Sequence, residues 1–198
     1  MPQFGTPFSY LCIDNSLLTK NYQIMATKVL SNDFMQDISM KDAWKELSSD
    51  FSWSEATLEK YQDKVDWDEI SENRNIRWTI PMIQKFQKKI NWDKFSEYAD
   101  DNTLTEPSIE AFKDKWNWHE LSNNGSVPMT DELLEKYADR WDWEQIINSY
   151  CQSVYDRRAM EFYEKFKDYI PVSKLQNTCL WRSIVEQRAK QLAAEICM

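Results

Sequence analysis

The chain has 198 residues, 42% of them hydrophobic and 29% charged, with a net charge of −9, ten tryptophans and only two glycines. That length supports one domain with a proper core, and the composition is that of a folded chain and not a disordered one. Two glycines leave almost no material for phosphate-cradling loops or tight hairpins, so strands joined by Gly-rich turns are a poor reading.

The charge is unevenly spread. Residues 51–148 hold 21 acids and 12 bases, whereas residues 149–198 carry a net charge of +2. The middle of the chain therefore repels phosphate backbones, and direct nucleic-acid binding is disfavoured. Cys12, Cys151, Cys179 and Cys197 are scattered, with no C-x-x-C pair and no histidine cluster. This predicts no metal site, no cofactor and no disulfide scaffold, but reduced thiols in a cytoplasm. Residues 1–20 lack the basic start of a signal peptide, and no apolar run is long enough to cross a membrane.

In chain order, residues 1–30 are apolar without a clear period. They read as an irregular cap over one end of the domain, or as a partly mobile segment. From Ser31 onward the chain repeats itself. Trp44, Trp67, Trp92, Trp118 and Trp143 recur at spacings of 23 to 26 residues, within the range of stacked repeats. Relative to each of these anchors, apolar residues stand nine before (Met35, Leu58, Ile83, Ile109, Leu134) and six before (Ile38, Tyr61, Phe86, Phe112, Tyr137). A third set stands three after: Leu47, Ile70, Phe95, Leu121 and Ile146. A degenerate sixth copy uses Tyr163, Phe166, Val172 and Leu175, with Val172 in the anchor place.

Each copy also carries helix-start signals. Ser31, Ser54, Thr79, Thr105 or Thr130 stands thirteen residues before the anchor, where a hydroxyl caps a first helix. The apolar residue just ahead of each cap (Leu30, Trp53, Trp78, Leu104, Met129) pairs with the one four after it as a hydrophobic staple. Immediately before the anchor, Asp66, Asn91, Asn117 or Asp142 caps a second, short helix. The anchor and the apolar residue three further on share one face of it.

The spacing thus predicts an all-α fold: a short α-solenoid of about six helix-pair repeats over residues 31–175, each of roughly 25 residues, stacked because no single pair buries its own apolar face. Residues 176–198 put Leu180, Trp181, Ile184, Val185, Leu192 and Ile196 at helical spacing, a longer closing helix over the last face. Residues 1–198 form one domain in this reading.

The unit T-x-x-x-[LI]-x-x-[YF]-x-D-[KR]-x-[DN]-W-x-x-[IL]-S resembles tandem repeats in uncharacterised proteins of large DNA viruses, phages and some gut bacteria, whose strings are similar to "FIEKFKDKVDW". The resemblance spans roughly Ser31 to Leu175. It implies an all-helical array and a viral or phage-related accessory role, and it carries over no catalytic residue.

Chemistry-bearing residues fall mainly into the repeat. His119, the lone histidine, fills the variable slot after an anchor that is Asp68, Asp93 or Glu144 elsewhere, so a structural role outweighs that of a general base. Carboxylate pairs such as Asp66/Glu69 recur in copy after copy, unlike a glycosidase pair, which is built once. Trp53, Trp78, Trp116 and Trp141 align with apolar positions and read as core. The strings DRR at Asp156–Arg158 and WRS at Trp181–Ser183 make the C-terminal region locally basic, a solvated helix face with a docking patch for an acidic partner as the alternative. The expectation is a non-enzymatic protein–protein interaction module, with an acidic mimic of nucleic acid as the alternative. Its candidate docking residues are Asp100, Asp101, Glu106 and Glu110, facing a partner with a basic surface.

Overall fold

The computed structural model describes residues 33–148, 154, 155 and 157–197. Among them are twelve helices and no strand. The expected cap over residues 1–30, with Leu30 and Ser31, lies outside the described residues. Four copies form helix pairs: α2 (Glu55–Tyr61) with α3 (Trp67–Glu72), α4 (Ile80–Phe86) with α5 (Trp92–Tyr98), α6 (Glu106–Ala111) with α7 (Trp118–Asn123), and α8 (Asp131–Lys136) with α9 (Trp143–Asn148). They are preceded by α1 (Asp33–Asp50) and followed by α10 (Ala159–Phe166), α11 (Val172–Leu175) and α12 (Cys179–Ile196).

The starts of these helices are those expected. Ser54, Thr79, Thr105 and Thr130 each accept a backbone N–H from the residue three further on. Asp66, Asn91 and Asn117 cap α3, α5 and α7 in the same way, and Asp142 Oδ1 accepts from the Gln145 amide at 3.2 Å. The staples Trp53, Trp78 and Leu104 are buried and Met129 is partly so.

The second helices stack in one row. α1 packs on α3, α3 on α5, α5 on α7, α7 on α9, and α9 on α12. The core runs along this row: Leu58, Ile70, Leu104, Ile109, Leu121, Leu134 and Ile146 have no exposed surface. Each junction is also an aromatic contact. The anchor of one copy meets the residue six before the next anchor, as Trp44–Tyr61, Trp67–Phe86, Trp92–Phe112, Trp118–Tyr137 and Trp143–Phe166. Centroid separations are 4.9–5.6 Å, within the favourable range for tilted rings.

Three expectations need correction. The first copy is not a pair: α1 is one continuous helix of 18 residues. Where other copies have an Asx cap before the anchor and an apolar residue before that, this copy has Ala43 and Asp42. Nothing local stops the helix, and nothing buried draws the chain into a turn. Its Met35, Ile38 and Leu47 are exposed. Elsewhere the residue six before an anchor is covered by the tryptophan of the preceding copy, and no tryptophan precedes Trp44.

In the sixth copy Val172 is 64% exposed, and Phe162, one position before the expected Tyr163, takes the deep site. The closing helix α12 covers the row through its first half alone. Leu180 and Ile184 are buried, whereas Trp181, Val185, Leu192 and Ile196 are exposed. The chain enters α12 through Asn177, whose φ of 74° lies in the left-handed region that Asn tolerates, and Thr178 caps it.

Candidate functional site

The polar residues of the repeat meet one another across the junctions. Four residues after each of the first four anchors stands a buried serine. Ser48, Ser71, Ser96 and Ser122 donate to the carbonyl of their own anchor at 2.6 Å. Each also accepts, at 2.9–3.0 Å, the backbone N–H of the next copy's Asx cap: Asp66, Asn91, Asn117 or Asp142. A hydroxyl is both donor and acceptor, so one side chain satisfies two partly buried backbone groups from two copies. At the fifth junction the next cap position is Pro171, which has no N–H, and the serine is replaced by buried Ile147.

The anchors are held in the same regular way. The indole N–H of Trp67, Trp92, Trp118 and Trp143 donates to the carbonyl five residues earlier, at Gln62, Gln87, Lys113 and Ala138. Trp67, Trp92 and Trp118 are half-buried and Trp143 is buried. A basic residue of the next copy lies over several anchors: Lys64 over Trp44, Lys89 over Trp67 and Arg140 over Trp118, at 5.5–5.7 Å from the ring centroid. Lys89 also pairs with Asp63 at 3.0 Å, and Arg140 with Asp114 at 2.9 Å. The D-[KR] dipeptide of the motif therefore joins copies.

His119 belongs to this ladder. The slot after an anchor faces the cap of the next copy: Asp68 Oδ1 accepts from Asn91 Nδ2, and Asp93 Oδ1 from Asn117 Nδ2, both at 2.7 Å. At the next junction the cap is Asp142, and the slot holds His119, whose Nδ1 lies 2.6 Å from Asp142 Oδ2. A second Asp there would face a carboxylate with no proton to share. The slot facing Asp66 is likewise basic, Lys45, which pairs with Glu69 at 3.3 Å. His119 and Asp142 are thus one rung among equivalents, with the donor and acceptor types exchanged.

The candidate docking acids differ in what remains of their charge. Asp100 is half-buried, and its carboxylate accepts from the Thr103 amide at 3.0 Å and from Asn102 Nδ2 at 2.9 Å. Burial pushes its pKa up, but the bonds from Asn102 and Thr103 outweigh it and hold the group below the ordinary carboxylate value. Asp101 and Glu106 are exposed. Glu110 is clamped: Lys136 at 2.5 Å, the Tyr137 hydroxyl, and Lys113 at 2.9 Å all bind it. Those three bonds, that of Lys136 foremost, hold its pKa at about 2.

The sequence did not single out Asp131, which receives Arg158 at 2.5 and 2.8 Å and Lys165 at 2.9 Å. The Arg158 bonds, opposed by partial burial and aided by Lys165, set its pKa at about 2. Arg158 of the locally basic region is in this respect an inter-copy clasp. Its signal, an arginine 27 residues after an aspartate, is visible only once the copies are aligned.

Comparison with family models, with curated proteins and with solved structures found no match. Among the described residues no group of three or more His, Cys, Asp or Glu side chains could hold a metal ion, and no helix is long and apolar enough to cross a membrane. A polar hollow of about 350 Å³ opens between copies, lined by Arg74, Glu97, Tyr98, Glu120, Asn124 and Gly125 among others. Its residues are largely engaged: Arg74 Nε donates to the Tyr98 carbonyl at 3.1 Å, and Asn124 Nδ2 donates to the carbonyls of Ser96, Glu97 and Ala99.

Proposed function

We propose that the protein is a non-enzymatic interaction module, a stiff helical stack whose acidic outer edge docks a protein with a basic surface. The observation that carries this reading is the division of labour among its polar residues. The Ser, Asx, slot and D-[KR] residues are engaged in contacts to neighbouring copies, while Asp101 and Glu106 are exposed and stand outside those contacts. A scaffold that presents variable side chains on a fixed frame is how solenoids bind other proteins.

Of the acids assigned to docking, Asp101 and Glu106 carry the attraction, with Asp100 fixing the turn between them and Glu110 anchoring the helix behind. Mimicry of nucleic acid is the weaker reading. Glu55, Glu59, Asp63, Glu72, Asp114 and Asp131 each meet a base of the next copy, so the negative face is interrupted where a phosphate backbone would be continuous.

The test is affinity capture from the native source with the wild-type chain and with Asp101→Lys/Glu106→Lys. A partner held by the wild type alone, with an association rate that falls as salt screens charges over about 8–10 Å, supports the reading. Identical capture by both chains together with a flat salt response excludes it.

A further inference from the structure

Two copies end their second helix on an asparagine that reaches back to the copy before it. Asn73 follows α3 and Asn124 follows α7, each six residues after its anchor. Asn73 Nδ2 donates to the carbonyls of Ser48 and Phe51 at 2.8 and 2.9 Å. Asn124 Nδ2 faces three, those of Ser96, Glu97 and Ala99, at 2.9–3.0 Å. The amide oxygens are held as well: Asn73 Oδ1 accepts from the Asn75 N–H at 2.8 Å, and Asn124 Oδ1 from the Ser126 N–H at 2.9 Å. Both side chains are buried.

The two differ in what comes next. Arg74 follows Asn73, whereas Gly125 follows Asn124 in the only Asn-Gly pair of the chain. The backbone nitrogen after an asparagine is a nucleophile for the side-chain Cγ, and a side chain on that next residue hinders the approach. Gly125 has none, which allows close backbone approach. It is also exposed, and a Cβ placed on it meets nothing within 4 Å.

We propose that Asn124 is a site of spontaneous deamidation, held closed by the junction between α5 and α7 and irreversible once that junction has opened. The Gly125 nitrogen gives its proton to hydroxide and bonds to Asn124 Cγ. The Cγ–Nδ2 bond breaks, and Nδ2 leaves as ammonia with a proton taken from water. A second water opens the resulting succinimide to aspartate or isoaspartate. In the folded chain Asn124 Cγ cannot swing toward that nitrogen without breaking the bonds to Ser96, Glu97, Ala99 and Ser126. Conversion therefore follows the fraction of molecules in which the junction is open. The product does not fit back, because an oxygen in place of Nδ2 sets a charged acceptor against three carbonyls that have lost their donor.

Peptide mass mapping of the full chain tests this, after incubation in mildly alkaline buffer with and without unfolding guanidinium chloride. In the denaturant Asn124 should convert well before Asn73. Without it the conversion of Asn124 should be at least about tenfold slower, in proportion to the open fraction. Gly125→Ala should slow the conversion in denaturant and keep at least the wild-type unfolding midpoint, since its Cβ has room. Asn124→Asp, the product made directly, should unfold at a lower denaturant concentration than the wild type. Equal rates in the folded and unfolded chain overturn the gating by the junction. An unchanged midpoint for Asn124→Asp overturns the irreversibility. No conversion at Asn124 in denaturant, or one that Gly125→Ala does not slow, overturns the site itself.

Discussion

At the scale of single residues, the buried serines tie each anchor carbonyl to the next copy's cap. Removing one hydroxyl leaves a backbone N–H without an acceptor, which costs about 1–3 kcal/mol. Ser96→Ala should therefore lower stability by that amount in a urea titration. Ser39→Ala, on the exposed side of α1, should change it by less than about 0.5 kcal/mol. The slot rule makes a sharper demand. His119→Asp sets two carboxylates against each other and should destabilise by about 0.2–1 kcal/mol, as an exposed pair allows. Asp142→Asn in the same chain recreates the Asp–Asn rung of the earlier junctions and should recover the loss. A double-mutant cycle with no coupling between the two positions would show that the rung contributes nothing.

Helices record how much of this was legible in sequence. Caps and staples act within four residues, so Ser54 with Leu58 or Thr105 with Ile109 announces a helix start locally. Rungs act over about one repeat, and appear only when Asp68 is read against Asn91 and His119 against Asp142. The anchor spacing, the Ser31 cap and the Leu30 staple all suit a first helix pair, but Asp42 and Ala43 remove the two residues that end a first helix and begin a second, so α1 runs on. Asp42→Val/Ala43→Asp should therefore split α1 near Met40, which backbone chemical shifts would reveal as loss of helix there. The far half of α12 departs from expectation for a different reason. Periodicity finds an apolar face, but it does not say whether the molecule itself covers it. Of the docking acids, sequence placed Asp101 and Glu106 at the surface but gave no sign that Glu110 is clamped by Lys136 from the next copy.

Across the whole molecule, inter-copy ion pairs make the stack sensitive to acid. Glu110 and Asp131 are each held at about 2, below their ordinary values of 4.5 and 3.8. A carboxylate whose pKa is depressed by folding contributes stability above its unfolded value and loses it as pH falls toward the folded one. Stability should thus decline between about pH 4.5 and 2, and Glu110→Gln/Asp131→Asn should flatten that decline in thermal melts taken across the window. Because each junction repeats the same contacts, stability should also be nearly additive in copies.

Removal of one whole copy tests the equivalence of the junctions most directly. Deletion of residues 93–118 joins Trp92 to His119, and it keeps Asp68 opposite Asn91 and His119 opposite Asp142. It also keeps Ser71 and Ser122 beneath those caps. The shortened chain should give a helical circular dichroism spectrum and a single cooperative unfolding transition, whereas a deletion of half that length should give neither. An aggregated or unfolded product from the in-register deletion would contradict the repeat-by-repeat account of this fold.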